Sequence, residues 1–536
     1  MRMASLGRAT TVMAVGTLTS RILGFVKVIV LAYAIGQTAS VSADAFAVGA
    51  ILPNTLFVML MGGMLNSVLV PQIVQATKSQ DGGSAYINKL LTLVITAAAA
   101  LTACTLLAAP LLVKLHALEW DEPQLQLATA FAYWCLPQLL FYGIYTVMGE
   151  VLNARSVFGP YTWAPVINNV IAIAGIMIFI MLYGADPNGE RGVHDWNAVA
   201  IAVLGGSATL GIATQALILF YYWRKAGIHY RPDFKWRGVG LGAAARLSAW
   251  TLAMFFVLNI ITFITGNVIA VDSGDSLSIS AVNNGWLIMV LPHSVFVYSI
   301  ATAYFTRFSE AIANSDQGSF ARDFVASLKQ SALILVFFAA AFFALAPQLS
   351  RIIQISADAD RVQLFALLLQ FYIFAMISHS LLFVVQRGFY AQNDTRTVFF
   401  LTLIQFFIVV PLSIATIVMP DGTRSFAVVL IQGLGTAVQL LLAVVVLQKR
   451  SGVLRGGSLL PSLLKFAVAG VITAAVGYFS TALLWQYNSE LPLWLALLSA
   501  AVLGIVMLGL YAALLFALKT PEMQSVAALV RRRLGR

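Results

Sequence analysis

The sequence predicts an all-α integral membrane protein of fourteen transmembrane helices, arranged as two six-helix lobes and a final helix pair. Three observations lead there. Of 536 residues, 60% are hydrophobic and only 10% are charged, where a soluble domain carries about 25% charged residues. The mean hydropathy is +0.89. Apolar runs recur along the whole chain, each long enough for the ~20 helical residues that cross a hydrocarbon core of roughly 30 Å. With 39 Gly and 2 Cys, collagen-like, disordered and disulfide-stapled chains are excluded. Strands of an outer-membrane barrel would alternate in polarity, and these runs do not.

The runs lie at about 10–34, 45–73, 88–113, 127–149, 160–183, 198–222, 245–270, 280–305, 327–349, 363–385, 398–419, 425–447, 462–485 and 491–518. The first follows Arg2 and Arg8, as a signal peptide would. Arg21 interrupts it and further spans follow, so it reads as a retained helix. Basic residues test the count, because positively charged loops stay on the cytoplasmic side. With the N-terminus inside, 25 of the 32 Lys and Arg residues fall in inner segments, five in outer ones, and Arg21 and Lys27 within span 1. A miscount by one helix would scramble this separation. Both termini are therefore expected on the cytoplasmic side of the membrane.

The longest inner connection, 224–244, carries Arg224, Lys225, Arg231, Lys235 and Arg237 and divides the chain. A first lobe occupies 1–223, a second 245–448, a final pair 449–519, and a basic tail 520–536. The tail either lies on the anionic inner leaflet or is a solvated end. The net charge of +11 is spread over the inner loops rather than gathered on one face, so nucleic acid is not an expected partner. A weak parallel relates the lobes: Leu152-Asn153-Ala154-Arg155 follows span 4 where Gly388-Phe389-Tyr390-Ala391-Gln392-Asn393-Asp394 follows span 10. Repeats of six-helix lobes occur in alternating-access transporters, whose substrate sites lie near the midplane.

Charges within spans carry the functional signal, since Arg at a helix centre costs about 2.5–3.5 kcal/mol on insertion scales. Span 1 reads Thr19-Ser20-Arg21-Ile22-Leu23-Gly24-Phe25-Val26-Lys27. Arg21 and Lys27 stand about 120° apart on a regular helix, and a bend at Gly24 would bring them to one face. Span 1 has no acid to balance them, which points to an anionic substrate. The alternative is that Lys27 snorkels to an interface while Arg21 caps neighbouring carbonyls. Asn54, Asn168, Asn169, Asn283, Asn284 and His293 are polar candidates for the same cavity, or bond to neighbouring helices. Gly24, Pro53, Gly62, Gly63 and Pro292 are candidate hinges. His379 is a candidate proton carrier or a packed histidine.

The N-terminal third carries Ser20-Arg21-Ile22-Leu23-Gly24-Phe25, Ala43-Asp44-Ala45-Phe46, Leu52-Pro53-Asn54 and Val70-Pro71, followed by Leu152-Asn153-Ala154 with Phe158 and Ala164-Pro165, then by Gly388-Phe389-Tyr390 with Asp394 and Thr397. In this order the motifs resemble the MurJ/MviN family of lipid II flippases, within the superfamily of multidrug, oligosaccharidyl-lipid and polysaccharide exporters. The chain departs from the family in span 2, where a basic residue and then an acid are expected and Phe57, Val58 and Gly62 stand. It departs again in span 8, where an essential arginine is expected before the proline. The stretch from Asn283 to Pro292 contains none. Of the family's charged cavity set, Arg21, Lys27 and Asp44 carry over.

The resemblance implies a flippase that moves a polyprenyl-pyrophosphate-linked glycan, lipid II, from the inner to the outer leaflet by alternating access. Arg21 and Lys27 would hold the pyrophosphate, Arg as a planar fork and Lys as a point charge. Membrane lipids and cell-wall synthesis or division proteins are the implied partners. Competing readings are a flippase for another polyprenyl-linked oligosaccharide and a transport-dead scaffold in cell-wall synthesis. A multidrug antiporter would need intramembrane acids, which are scarce. A glycosyltransferase would need acids at an outer loop, and the Asp358/Asp360 pair reads as solvated. No enzyme activity, cofactor or metal is expected: Cys104 and Cys135 lie inside spans, no Gly-rich phosphate loop follows a strand, and span 7 has no acid for cation coupling.

Overall fold

The computed structural model describes residues 2–38, 40–58, 83–155, 157–235, 241–272, 277, 279–454, 459–487 and 492–523. Candidate hinges Gly62 and Gly63 and the basic end of the tail lie outside them. Among the described residues every regular element is helical. Among the described residues twelve helices are long and apolar enough to cross a bilayer, or thirteen if the bent pair at Pro292 is one span, and the shorter apolar helix Val41–Phe57 lies at the second predicted span. These positions are consistent with the fourteen predicted spans. Helices suit this setting because they satisfy every interior backbone donor and acceptor where no water can. By contact the chain forms two compact units, Met1–Ser280 and Ala281–Arg536.

Unit 1 contains α1 (Arg2–Ile35), α2 (Val41–Phe57), α3 (Ser84–Leu107), α4 (Ala109–His116), α5 (Glu122–Cys135), α6 (Gln138–Ala154), α7 (Phe158–Tyr183), α8 (Ala198–Lys225) and α9 (Leu241–Ala270). Side-chain caps start several of them. Ser40 Oγ accepts from Ala43 N at 3.2 Å, and Asp121 and Asn197 do the same for α5 and α8. Pro110 and Pro123 sit in the first turns of α4 and α5, where a missing N–H is harmless. Leu90, Leu91, Val151, Leu152, Leu219 and Trp223 form the core where α3, α6 and α8 meet, and Trp223 Nε1 donates to Met148 O at 3.0 Å.

Close approach of backbones replaces the hydrophobic effect as the adhesive between helices in lipid. A Cβ added to Gly175 of α7 would stand 2.1 Å from Ser207 Cβ of α8, and one added to Gly211 of α8 2.4 Å from Asn168 Oδ1. At one end the 184–197 loop closes over the α1–α2 turn. Gly36 there has φ +76°, and its added Cβ would meet the Gly189 backbone at 2.6 Å. Arg191 donates to Tyr183 O at 3.0 Å and lies over the rings of Phe179 and Trp196. The connection after α8 is strapped to α3 by Arg231 N to Asn88 Oδ1 (3.1 Å) and Asp233 N to Thr92 Oγ1 (3.0 Å). α9 is tied to the α4–α5 turn through Asn267 Nδ2 to Leu115 O and Trp120 Nε1 to Ala270 O.

Helix α10 (Ile279–Met289) starts with the last two residues of unit 1, and unit 2 goes on with a π turn (His293–Val297), α11 (Tyr298–Ala313), α12 (Gln317–Ala344), α13 (Ala346–Ile353), α14 (Ala359–Ala391), α15 (Thr395–Ala415), α16 (Arg424–Ser451), α17 (Leu459–Tyr487) and α18 (Leu493–Ala517). The α10–α11 crossing bends by 42°, with Pro292 at the break. Proline removes an N–H and crowds the preceding turn, and the π turn absorbs the mismatch. α14 is the hub, packed on α11, α12 and α16. Gly433 of α16 sits against the Ala375 backbone of α14. Gln405 to Thr436 (2.9 Å) and Gln439 to Thr402 (3.0 Å) bond α15 to α16.

The family-like segment after span 10 forms the turn between α14 and α15. Asn393 takes φ 57°, a conformation Asn tolerates better than most residues. Asp394 then caps α15 through Thr397 N at 3.0 Å and pairs with Arg450 of α16. Partial burial pushes the Asp394 carboxyl up, but hydrogen bonds from Thr397 and Arg450 outweigh it and hold the group below the usual carboxylate range. A carboxyl whose pKa is depressed by folding stabilises above its unfolded value and loses that contribution as pH falls through its folded one. Asp394→Asn should therefore lower the thermal midpoint of the purified protein at pH 7. The gap to the parent should close as pH drops below about 4.

Candidate functional site

Arg21 and Lys27 both lie half-buried on α1. Helical structure runs unbroken through Gly24, so the two cations keep their separation of about 120° around the axis. Just before Arg21 the helix is pinned to α7, where buried Asn169 donates from Nδ2 to Ser20 O at 2.9 Å. One turn earlier, Gly16 admits Trp163 so closely that an added Cβ would stand 2.9 Å from its Nε1. Gly24 meets nothing comparable: its added Cβ would find only Asn169 Nδ2, at 3.7 Å. Lys27 has no hydrogen-bond or ion-pair partner among the described residues. A desolvated ammonium so placed attracts whatever anion can reach it.

The other candidates are distributed rather than convergent. Asp44 is fully buried in the first turn of α2, where its charge also suits the helix N-terminus. Its Oδ1 accepts from Ser280 N at 2.9 Å, holding the last residue of unit 1. Buried Pro53 precedes Asn54, which is exposed. Asn168 packs under Gly211, so both asparagines of α7 face neighbouring helices. In unit 2, Asn284 is half-buried on α10, and His293 is buried in the π turn.

Sequence reasoning missed the ring cluster around His293. Its imidazole lies 5.2 Å from that of His379 and 5.0 Å from the ring of Phe383, while Trp286 meets His379 edge-on at 5.1 Å. Tyr372 donates to Val282 O at 2.8 Å. Tyr372, His379, Phe383 and Arg387 recur every four to seven residues, which places them along one face of α14. That spacing was visible in the sequence and could have grouped them.

Against known families, a sequence model described as "Lipid II flippase MurJ" matches residues 31–517. This chain belongs to the MurJ family. Relatives within it include a probable lipid II flippase MurJ of Borreliella burgdorferi, 22% identical over 404 residues, which cover 74% of this chain and 75% of that one. The lipid II flippase MurJ of Burkholderia cenocepacia is 24% identical over 393 residues, 71% and 72% of the two chains. Among solved structures, a lipid II flippase MurJ in an inward closed conformation superposes with a TM-score of 0.72 at 17% identity, covering 98% of this chain and 99% of that one. An inward-facing multidrug MATE transporter gives 0.65 at 15% identity over 83% and 99%. The fold is thus shared with MurJ and, beyond it, with the wider superfamily.

The match to the MurJ family model begins at residue 31, past both Arg21 and Lys27, and spans Asp44, Asn54, Asn284 and His293. The geometry of Asp44 yields a test of its own. Asp44→Ala would leave the buried Ser280 N–H without its acceptor, at a cost of about 1–3 kcal/mol. Asp44→Asn keeps a carbonyl oxygen in place. We expect the alanine variant to unfold at a clearly lower temperature in detergent and the asparagine variant to recover most of the loss.

Proposed function

We propose that this protein is a lipid II flippase, carrying the lipid-linked peptidoglycan precursor from the inner to the outer leaflet of the bacterial plasma membrane by alternating access. The observation that carries this reading is membership of the MurJ family across residues 31–517, a family of transporters rather than catalysts. Its cargo pairs a polyprenyl tail with a pyrophosphate and a large sugar-peptide head. Tail and head pull toward opposite media, so the path needs a wet cationic cavity beside lipid. Arg21 and Lys27 are the cations we assign to the pyrophosphate. Arg21 supplies parallel N–H donors in a fork, and Lys27 a single point charge. Asp44, Asn54, Asn284 and His293 are secondary candidates, with bending at Gly24, Pro53, Gly62, Gly63 and Pro292. We place both termini in the cytoplasm, with the lobes divided at 224–244, and cell-wall synthesis or division proteins as partners.

A second reading has a specific observation behind it. Span 8 contains no arginine between Asn283 and Pro292, and span 2 has Phe57 and Val58 where a basic residue was expected. A smaller set of cations suits a different polyprenyl-linked oligosaccharide, or a chain that has given up transport for a scaffold role.

Translocation in cells that depend on this protein separates the residues. Loss of one charge-assisted contact is worth about 1.5–3 kcal/mol, so Arg21→Ala should cut lipid II flipping at least about ten-fold. Arg21→Lys should fall between the two. Normal flipping by Arg21→Ala at parental expression would sink the assignment of this residue.

A further inference from the structure

Most basic residues of unit 2 that the structure describes have an evident partner. Arg307 pairs with Asp323, Lys329 with Glu522, Arg424 with Asp421 and Arg450 with Asp394. Arg322 donates to Ser319 Oγ, Arg351 to Ala357 O and Lys465 to Leu518 O. Arg387 differs. It stands on α14 one turn before the helix ends at Ala391, inside a membrane-spanning element. It has no hydrogen-bond or ion-pair partner among the described residues, and its Nε is buried without an acceptor.

Two rings hold it instead. The guanidinium carbon is 4.5 Å from the ring centroid of Phe383, one turn back on α14, and 5.4 Å from that of Phe305 on α11. Phe383 is itself fixed, edge-on to His293 at 5.0 Å and stacked on Tyr298 at 5.8 Å. Contacts to ring faces orient a guanidinium plane but use none of its N–H donors. Those donors lie in the plane, in the fork that matches two oxygens of a phosphate. An arginine needing only to snorkel would not require two ring contacts, nor leave Nε desolvated.

We propose that Arg387, oriented by Phe383 and Phe305, is an oxyanion-binding residue that takes a lipid-borne phosphate at the Asp394 end of α14. The carrier is the pyrophosphate of a polyprenyl-linked cargo or the phosphodiester of an anionic phospholipid. The choice of cargo pyrophosphate rests on the lipid II reading, whereas oxyanion binding does not.

The test uses the full-length protein in phosphatidylcholine nanodiscs, with undecaprenyl pyrophosphate and phosphatidylglycerol as separate probes whose binding is read by native mass spectrometry. Arg387→Gln should weaken binding of undecaprenyl pyrophosphate about ten-fold or more. Arg387→Lys should lose less, because charge remains while the fork is gone. Phe383→Leu should weaken binding with the arginine intact, which keeps the test decisive if the glutamine variant folds poorly. A loss confined to undecaprenyl pyrophosphate identifies the cargo. A loss for phosphatidylglycerol identifies a bilayer lipid. Were the parent to ignore the pyrophosphate yet bind phosphatidylglycerol through Arg387, the lipid II reading would fail and this one would stand. Parental affinity for both probes in folded Arg387→Gln, or no binding of either by the parent, would overturn it.

Discussion

The cost of holding charge in hydrocarbon shapes this protein more than any other constraint. A chain with 10% charged residues can place nearly all of them in loops, and several of those near the spans are neutralised where they stand. Arg307, Arg424 and Arg450 meet carboxylates, while Arg191 is held by carbonyls and two rings. Against that rule, Lys27 of α1 and Arg387 of α14 lack such neutralisation among the described residues. A retained desolvated cation is costly, so each becomes a place where an anion from outside the chain lowers the free energy. A lipid that carries its own pyrophosphate brings that anion with it.

Charge scarcity also dictates how the helices cohere. Lipid tails are as apolar as Leu, so burying Leu between helices gains little, and adhesion falls to close backbone contact and shared hydrogen bonds. Gly175 against Ser207, Gly433 against Ala375, and the Gln–Thr pairs joining α15 to α16 are instances. Such contacts depend on geometry rather than area, which leaves each unit well defined internally. The bend at Pro292 with its π turn is the main departure from regular helix in unit 2, and it brings His293 into the ring cluster beside Arg387.

The fold was legible because bilayer thickness and positive-inside bias act on composition and order alone. Fourteen spans follow from apolar length, and the bent eighth span from a proline. Individual side chains were harder to place. Asp44 read as a cavity charge by its motif, yet its acceptor role depends on Ser280, which sequence spacing cannot locate. Arg387 counted as an inner-loop marker of orientation, since it stands near a span end. Only the positions of Phe305 and Phe383 distinguish it from an ordinary anchor. These differences share a cause: periodicity assigns a residue to a helix face, but the partner across that face comes from another span.

The central claim concerns cargo, and depletion tests it most directly. Cells that rely on this protein would be depleted of it, and the lipid-linked precursors of the inner and outer leaflets quantified separately. The account predicts that lipid II accumulates on the inner leaflet as its outer pool empties. Unchanged lipid II in both leaflets, with another polyprenyl-linked glycan retained inside or none at all, would contradict it.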